Sequence, residues 1–198
     1  MKLIKKNQLL KSIHESNNLK KKILYDLNEI NQIINAISNC IINGGKLLLC
    51  GNGGSAADAQ HLAAEFLVRL TPKINRKPIA AMTLATDIST ITACGNDFSF
   101  TKIFSRNLEA LGKKNDMLIV ITTSGNSKNI IDVLKVSKKM KINSIGFLGN
   151  DGGKAKKICD YKIVLPSKNV AHIQENHIFL GHFIFEQVEK NLIYKKYI

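Results

Sequence analysis

His61 and Glu65 stand four residues apart in the stretch LLLCGNGGSAADAQHLAAEFLVRL, Leu47 to Leu70. That spacing puts both side chains on one face of a helix. An imidazole beside a carboxylate can move protons next to a carbonyl group. The same two side chains are ligand types for a divalent metal such as zinc. Further along the chain, Gln174 and His182 are eight residues apart. On a helix they lie about 80° apart round the axis, so both can address one site two turns apart. The residue types leave both chemistries open.

Two loops supply the other half of a site. Gly51, Asn52, Gly53, Gly54 and Ser55 follow an apolar run and open the helix that carries His61. The glycines let the backbone turn tightly and bring N–H groups close to a ligand. Ser55 stands where unpaired N–H groups and the helix dipole favour negative charge. The second loop, Thr122-Thr123-Ser124-Gly125-Asn126-Ser127, offers four hydroxyls in six residues. Neither loop holds a lysine, which excludes a nucleotide P-loop, and the first lacks the G-x-G-x-x-G spacing of dinucleotide binders. Hydroxyls with backbone amides suit a sugar phosphate monoester. Ser and Thr also serve as plain helix N-caps; two such loops in one sheet favour phosphate.

These residues need elements to hold them. Residues 1–45 read as helical, with Ile23, Leu24, Leu27, Ile30, Ile33, Ile34 and Ile37 on a 3.6-residue period. Strands are expected at 46–50, 78–84, 117–121, 142–148 and 161–165, and helices at 55–69, 87–94, 100–112, from 127 to about 140, and 171–194. Alternation of this kind implies a parallel sheet covered on both faces by helices. Ligands then sit beyond the carboxyl ends of the strands, where both loops fall. With no linker or low-complexity tract, the 198 residues read as a single α/β domain, the 1–45 segment included.

Composition narrows the class. No apolar run reaches the length of about 18 residues that spans a membrane. No apolar stretch follows the lysine-rich start, which argues against a signal peptide. Four scattered cysteines without a C-x-x-C pair read as free thiols of a cytoplasmic protein. The net charge is +14, yet only three of the 29 basic residues are Arg. A phosphate-binding face more often uses Arg for bidentate contacts. The lysines therefore read as a solvated surface rather than a specific nucleic-acid site, and their field would attract an anionic substrate.

Four blocks in order, CGNGGSAADAQHLAAE, GND at 95–97, TTSGNSKNI and IQENHIFLGH, resemble the bacterial phosphoheptose isomerase family of sugar isomerase (SIS) domain enzymes. The likeness runs from about residue 20 to residue 194. It implies a three-layer, flavodoxin-like sandwich assembled as a homotetramer with active sites at subunit interfaces. It implies conversion of sedoheptulose 7-phosphate to D-glycero-D-manno-heptose 7-phosphate, the first step toward the heptose of the lipopolysaccharide inner core. By the family pattern Glu65 is the general base and His182 the acid of an enediol mechanism. Ser55, Thr123, Ser124 and Ser127 would hold the phosphate, while Asn52, Gly53, Gly54, Asn96, Asp97, Thr122 and Gln174 would line the sugar. A zinc ion, one per subunit, would be held by His61, Glu65, Gln174 and His182.

The chain departs from the family pattern at His172, where Arg is usual, and at Gly95, where Ala is usual. His177 reads as a core residue. Two other readings compete. Regulators that bind the replication initiator share the fold but lack the Glu and the terminal His, both present here. Isomerases of other ketose phosphates would share the binding loops.

Overall fold

The computed structural model describes residues 6–198. The first five residues of the expected N-terminal helix lie outside the described residues. Helix α1 is Lys6–Lys22, followed by a 3-10 turn at Ile23–Asp26 and by α2, Leu27–Ile42. Then come β1 (Leu47–Gly51), α3 (Gly54–Leu67), β2 (Ala81–Thr83), α4 (Ile88–Asp97) and α5 (Ile103–Leu111). The second half holds β3 (Met117–Thr122), α6 (Lys128–Lys139), β4 (Asn143–Gly149), β5 (Tyr161–Leu165) and the closing α7 (Val170–Tyr194).

The five strands form one sheet in the order β2-β1-β3-β4-β5, and every pairing is parallel. Successive side chains of a strand point to opposite faces, and the core divides accordingly. Leu47 and Leu49 join Met117, Ile119 and Ile121 under α2, α3 and α7. Leu48 and Cys50 join Leu118 and Val120 against α5 and α6. This is the expected three-layer sandwich. The strand order reverses direction between β1 and β3, and a crevice opens there at the carboxyl ends. The Gly51–Ser55 and Thr122–Ser127 loops flank that crevice.

Three elements differ from expectation. The 1–45 segment is two helices, because each half has a different partner. The α2 face of Ile30, Ile33, Ile34, Ile37 and Ile41 enters the core, whereas α1 buries only Leu19 and leans on α7 through polar contacts. The 3-10 turn tightens the backbone between them. Strand β2 keeps three residues of the expected seven. Pro78 has no N–H to give a ladder, and the Ile79 N–H donates to Phe66 O instead. Helix α4 runs on to Asp97, so Gly95, Asn96 and Asp97 close a helix rather than forming a loop.

His177 lies fully buried on α7, with its ring 6.3 Å from that of Phe147. Neither ring nitrogen makes a hydrogen bond of good geometry among the described residues, and the Leu148 backbone nearby only partly opposes the effect of burial. Burial pushes the imidazole down to about 4. The unfolded chain takes up a proton near pH 6.5 that the folded chain refuses until about pH 4, so stability falls as pH drops through that window. At about 1.4 kcal/mol per pH unit, the parent should lose about 2 kcal/mol more than His177→Leu between pH 7 and pH 5. Urea melts of the two proteins at both values test this. Equal losses would mean that the ring protonates inside the fold.

Candidate active site

Helix α3 is rich in alanine, the strongest helix former, and begins at Gly54 directly after β1. Gly51 is required there, because a Cβ would lie 2.4 Å from Ser55 O. Gly53, at φ 57°, turns the chain into the helix. Helix α7 starts at Asn169, whose side chain accepts from the N–H groups of Ala171 and His172. The two helices run parallel, side by side. Gln174 packs on Gly54, Gly181 on Leu62, and the Phe66 and Phe185 rings stack 4.0 Å apart. Gly181 lets them approach, since a Cβ there would sit 2.6 Å from a Leu62 methyl.

This packing brings His182 of α7 against His61 and Glu65 of α3. His61 Nε2 is 2.8 Å from His182 Nε2 and 3.2 Å from Glu65 Oε1. His182 Nε2 is 3.9 Å from the same oxygen. Burial pushes the His182 imidazole down, the neighbouring His61 adds to the shift, and Glu65 opposes it. A ring held neutral in this way has one nitrogen to donate and one to accept. The cluster remains open to solvent, with Glu65 the least exposed of the three at 20%.

The donor set also fits a metal. One ligand atom from each of the three lies within 4.8 Å of the others. A tetrahedral zinc ion bound at about 2.1 Å sets its ligands roughly 3.4 Å apart, and the three separations bracket that value. Gln174, the fourth residue expected here, stands eight residues before His182, about 12 Å along the helix axis. Its amide packs against Gly54.

Asp58 went unremarked in the sequence, yet it shares the α3 face with Gly54, His61 and Glu65. Its Oδ2 is buried without a hydrogen-bond partner among the described residues. Burial raises the carboxyl and His61 lowers it, with burial the larger effect. The 3.6-residue period through positions 54, 58, 61 and 65 was the available signal.

The two loops carry the expected hydroxyls in different ways. Ser55 is buried in the first turn of α3. Thr122 Oγ1 accepts from the Gly125 N–H at 3.3 Å, and Ser124 Oγ from the Asn126 N–H at 3.1 Å. Those two therefore shape their own loop. Ser127 occupies the N-cap position of α6 without using its hydroxyl as a cap, and Thr123 is half-buried beside it. Asn52 is engaged with Asn129, a buried residue the sequence reading passed over. The two amides exchange hydrogen bonds of 3.0 and 2.8 Å and tie the loops together. Asn96 and Asp97 stand elsewhere in the subunit, exposed at the end of α4, where Asn96 donates to Asp97 at 2.8 Å. The hollow that Asp97 lines is bounded by α4 and α5, not by the two loops.

A parallel sheet with the 2-1-3-4-5 strand order, two hydroxyl-bearing loops at its switch point and a His/Glu cluster on the adjoining helices define a SIS-domain protein. Residues 13–149 match the SIS domain family. The chain is 44% identical to the phosphoheptose isomerase of Clostridium acetobutylicum, over 96% of this chain and 98% of that one. Identity is also 44% to the phosphoheptose isomerase of Aneurinibacillus thermoaerophilus, over 97% and 98%. The solved phosphoheptose isomerase of Neisseria gonorrhoeae superposes with a TM-score of 0.86 at 37% identity, covering 93% of this chain and 98% of that one. That of Francisella tularensis gives 0.85 at 34% identity, covering 94% and 100%. The chain belongs to the phosphoheptose isomerase family.

Proposed function

We propose that this chain interconverts sedoheptulose 7-phosphate and D-glycero-D-manno-heptose 7-phosphate. The observation that carries the reading is the meeting of Glu65 with His182 and His61 below a two-loop anion cradle. The family relatives, matched nearly end to end, support it. Both residues that separate the isomerase from a non-catalytic regulator are present and in contact range.

The residues divide the work by position. First-turn N–H groups of α3 and α6, with the hydroxyls of Ser55, Thr123, Ser124 and Ser127, seat the phosphate dianion. From Gly54 to His61 the helix advances about 10 Å, room for a carbon chain between phosphate and carbonyl. Glu65 takes the proton from the carbon next to the carbonyl and returns it to the neighbouring carbon. His182 exchanges a proton with the oxygens, so the intermediate is an enediol rather than a full dianion. Gln174, at the mouth beside Gly54, orients the sugar hydroxyls with the Asn52–Gly54 backbone. Zinc held by His61, Glu65 and His182 would polarise the carbonyl as a Lewis acid, whereas Gln174, packed on Gly54 at the other end of the site, stands outside that ligand set.

Two surfaces support the homotetramer. A cavity of about 550 Å³ lies away from the chemistry between α1, α2 and α7, with Leu24, Leu27, Phe179 and Phe183 among the residues that line it. Leu24 and Tyr25 beside it are 63% and 89% exposed. A second copy of the chain would cover this apolar face, and a separate contact would bring exposed Asn96 and Asp97 to a neighbour's sugar site. Light scattering should give four times the 22.0 kDa chain mass; a monomer would remove the assembly and the shared site. Among the described residues no helix is long and apolar enough to cross a membrane. With the isomerase reading goes a cytoplasmic enzyme that supplies heptose for the lipopolysaccharide core.

Gly125→Ala tests the cradle. The residue has φ +64°, and a Cβ would meet Gly152 O at 2.0 Å. Strain of about 1–3 kcal/mol should shift the 122–127 loop, and KM for the phosphorylated ketose should rise about tenfold through weakened charged hydrogen bonds. An unchanged KM in the folded variant would take this loop out of phosphate binding. Substrate class is tested by kcat/KM for ketose phosphates of five, six and seven carbons. The seven-carbon substrate should lead; a shorter ketose turned over better would replace the proposed substrate.

A further inference from the structure

The connection from α3 to β2 carries a buried charge that the chemistry above does not use. Arg76 is 1% exposed, and its partner Glu189 on α7 is fully buried. The Arg76 Nε–H donates to Glu189 Oε1. Glu189 Oε2 accepts from the Thr71 hydroxyl at 2.7 Å. The guanidinium then reaches back to the end of α3. Nη2–H donates to the carbonyl of Glu65 itself at 2.8 Å, and Nη1–H to the carbonyl of Phe66 at 3.0 Å.

The location has a physical logic. The last carbonyls of a helix lack partners within it, and a cation at that end is favoured by the dipole. In α3 the Val68 N–H still serves Ala64, so Glu65 O is the first carbonyl left over. Arg76 takes it. On α7, Glu189 is seven residues after His182, which returns it to the same face of the helix. One guanidinium thus links the backbone of Glu65 to the face of α7 that carries His182. A planar five-donor fork can do this; a lysine ammonium cannot hold the same three partners in the same plane.

We infer that Arg76 and Glu189 are positioning residues that set the spacing of Glu65 against His182 and His61. They touch no substrate. This rests on the isomerase reading, because the spacing matters only if those three side chains act together. A pair kept for stability alone would be a costly choice in a core, since apolar residues of similar volume often serve there as well. Functional geometry is tighter than folding requires, with about 0.5 Å tolerated.

The test compares Arg76→Lys with the parent, well below the melting temperature of both. Arg76→Lys keeps the charge and loses the grip on the α3 carbonyls. Its kcat should fall about 10- to 100-fold, the cost of misplacement near 1 Å, with KM within about twofold because the anion loops lie at the other end of α3. Glu189→Gln, which removes the charge that anchors Arg76 and turns one of the two acceptor oxygens into an N–H donor, replaces it if the lysine variant fails to fold, with the same fall in kcat expected. A folded variant with kcat within twofold of the parent overturns the inference. Imidazole ¹H–¹⁵N NMR spectra supply a readout independent of turnover. The ring nitrogens of His61 and His182 should shift in the variant, and unchanged spectra also overturn it. If the parent shows no turnover, the isomerase reading fails by itself, and the NMR comparison alone decides whether the pair positions the cluster.

Discussion

Glu65→Gln should fold as the parent does and lose its isomerase activity. The amide is isosteric, and Glu65 is only partly buried, so the change should cost under about 1 kcal/mol of stability. Glutamine cannot accept a proton from carbon. Loss of a positioned base typically costs about 10²–10⁴ in rate, and the upper part of that range is expected here because Glu65 also faces two imidazoles. The measurement is kcat beside a thermal melt. A folded Glu65→Gln variant within tenfold of the parent kcat would remove Glu65 from the base role.

The largest effect on stability is expected at Phe185→Ala. Phe185 is fully buried, stacks on Phe66 at 4.0 Å, and joins α7 to α3 one turn after His182. Removing a buried ring costs about 3–5 kcal/mol. For a chain of this size that lowers the melting temperature on the order of 10 °C. Calorimetry decides it. A loss under about 1 kcal/mol would mean that the α3–α7 contact is not the packed seam described.

Much of this arrangement was legible in the residues. Strands β1 and β3 are near-continuous apolar runs, as strands buried on both faces must be, and β4 is apolar after its first two residues. The Gly51–Ser55 and Thr122–Ser127 loops announce tight turns into helices, and the parallel sheet places both at its carboxyl edge. His61 and Glu65 could be paired from their spacing. His182 came from a weaker pattern, and its contact with His61 depends on Gly181 letting two helices approach.

What was not legible depends on distant partners. The break between α1 and α2 follows from two different docking surfaces, invisible in a single amphipathic period. The short β2 reflects Phe66 O capturing the Ile79 N–H, a contact across 13 residues. Asn52 read as a sugar contact, and its pairing with Asn129 spans 77 positions. Arg76 lies in the connection between α3 and β2, and nothing local tied it to Glu189, 113 residues away.

The most direct test of the central claim is a ¹H NMR time course of the purified protein with sedoheptulose 7-phosphate in D₂O, run metal-free and with added zinc. The expected result is the aldose heptose 7-phosphate carrying deuterium at C2, delivered by a base that exchanges with solvent. No aldose under either condition would contradict the assignment of Glu65 and His182 to a heptose phosphate isomerase site.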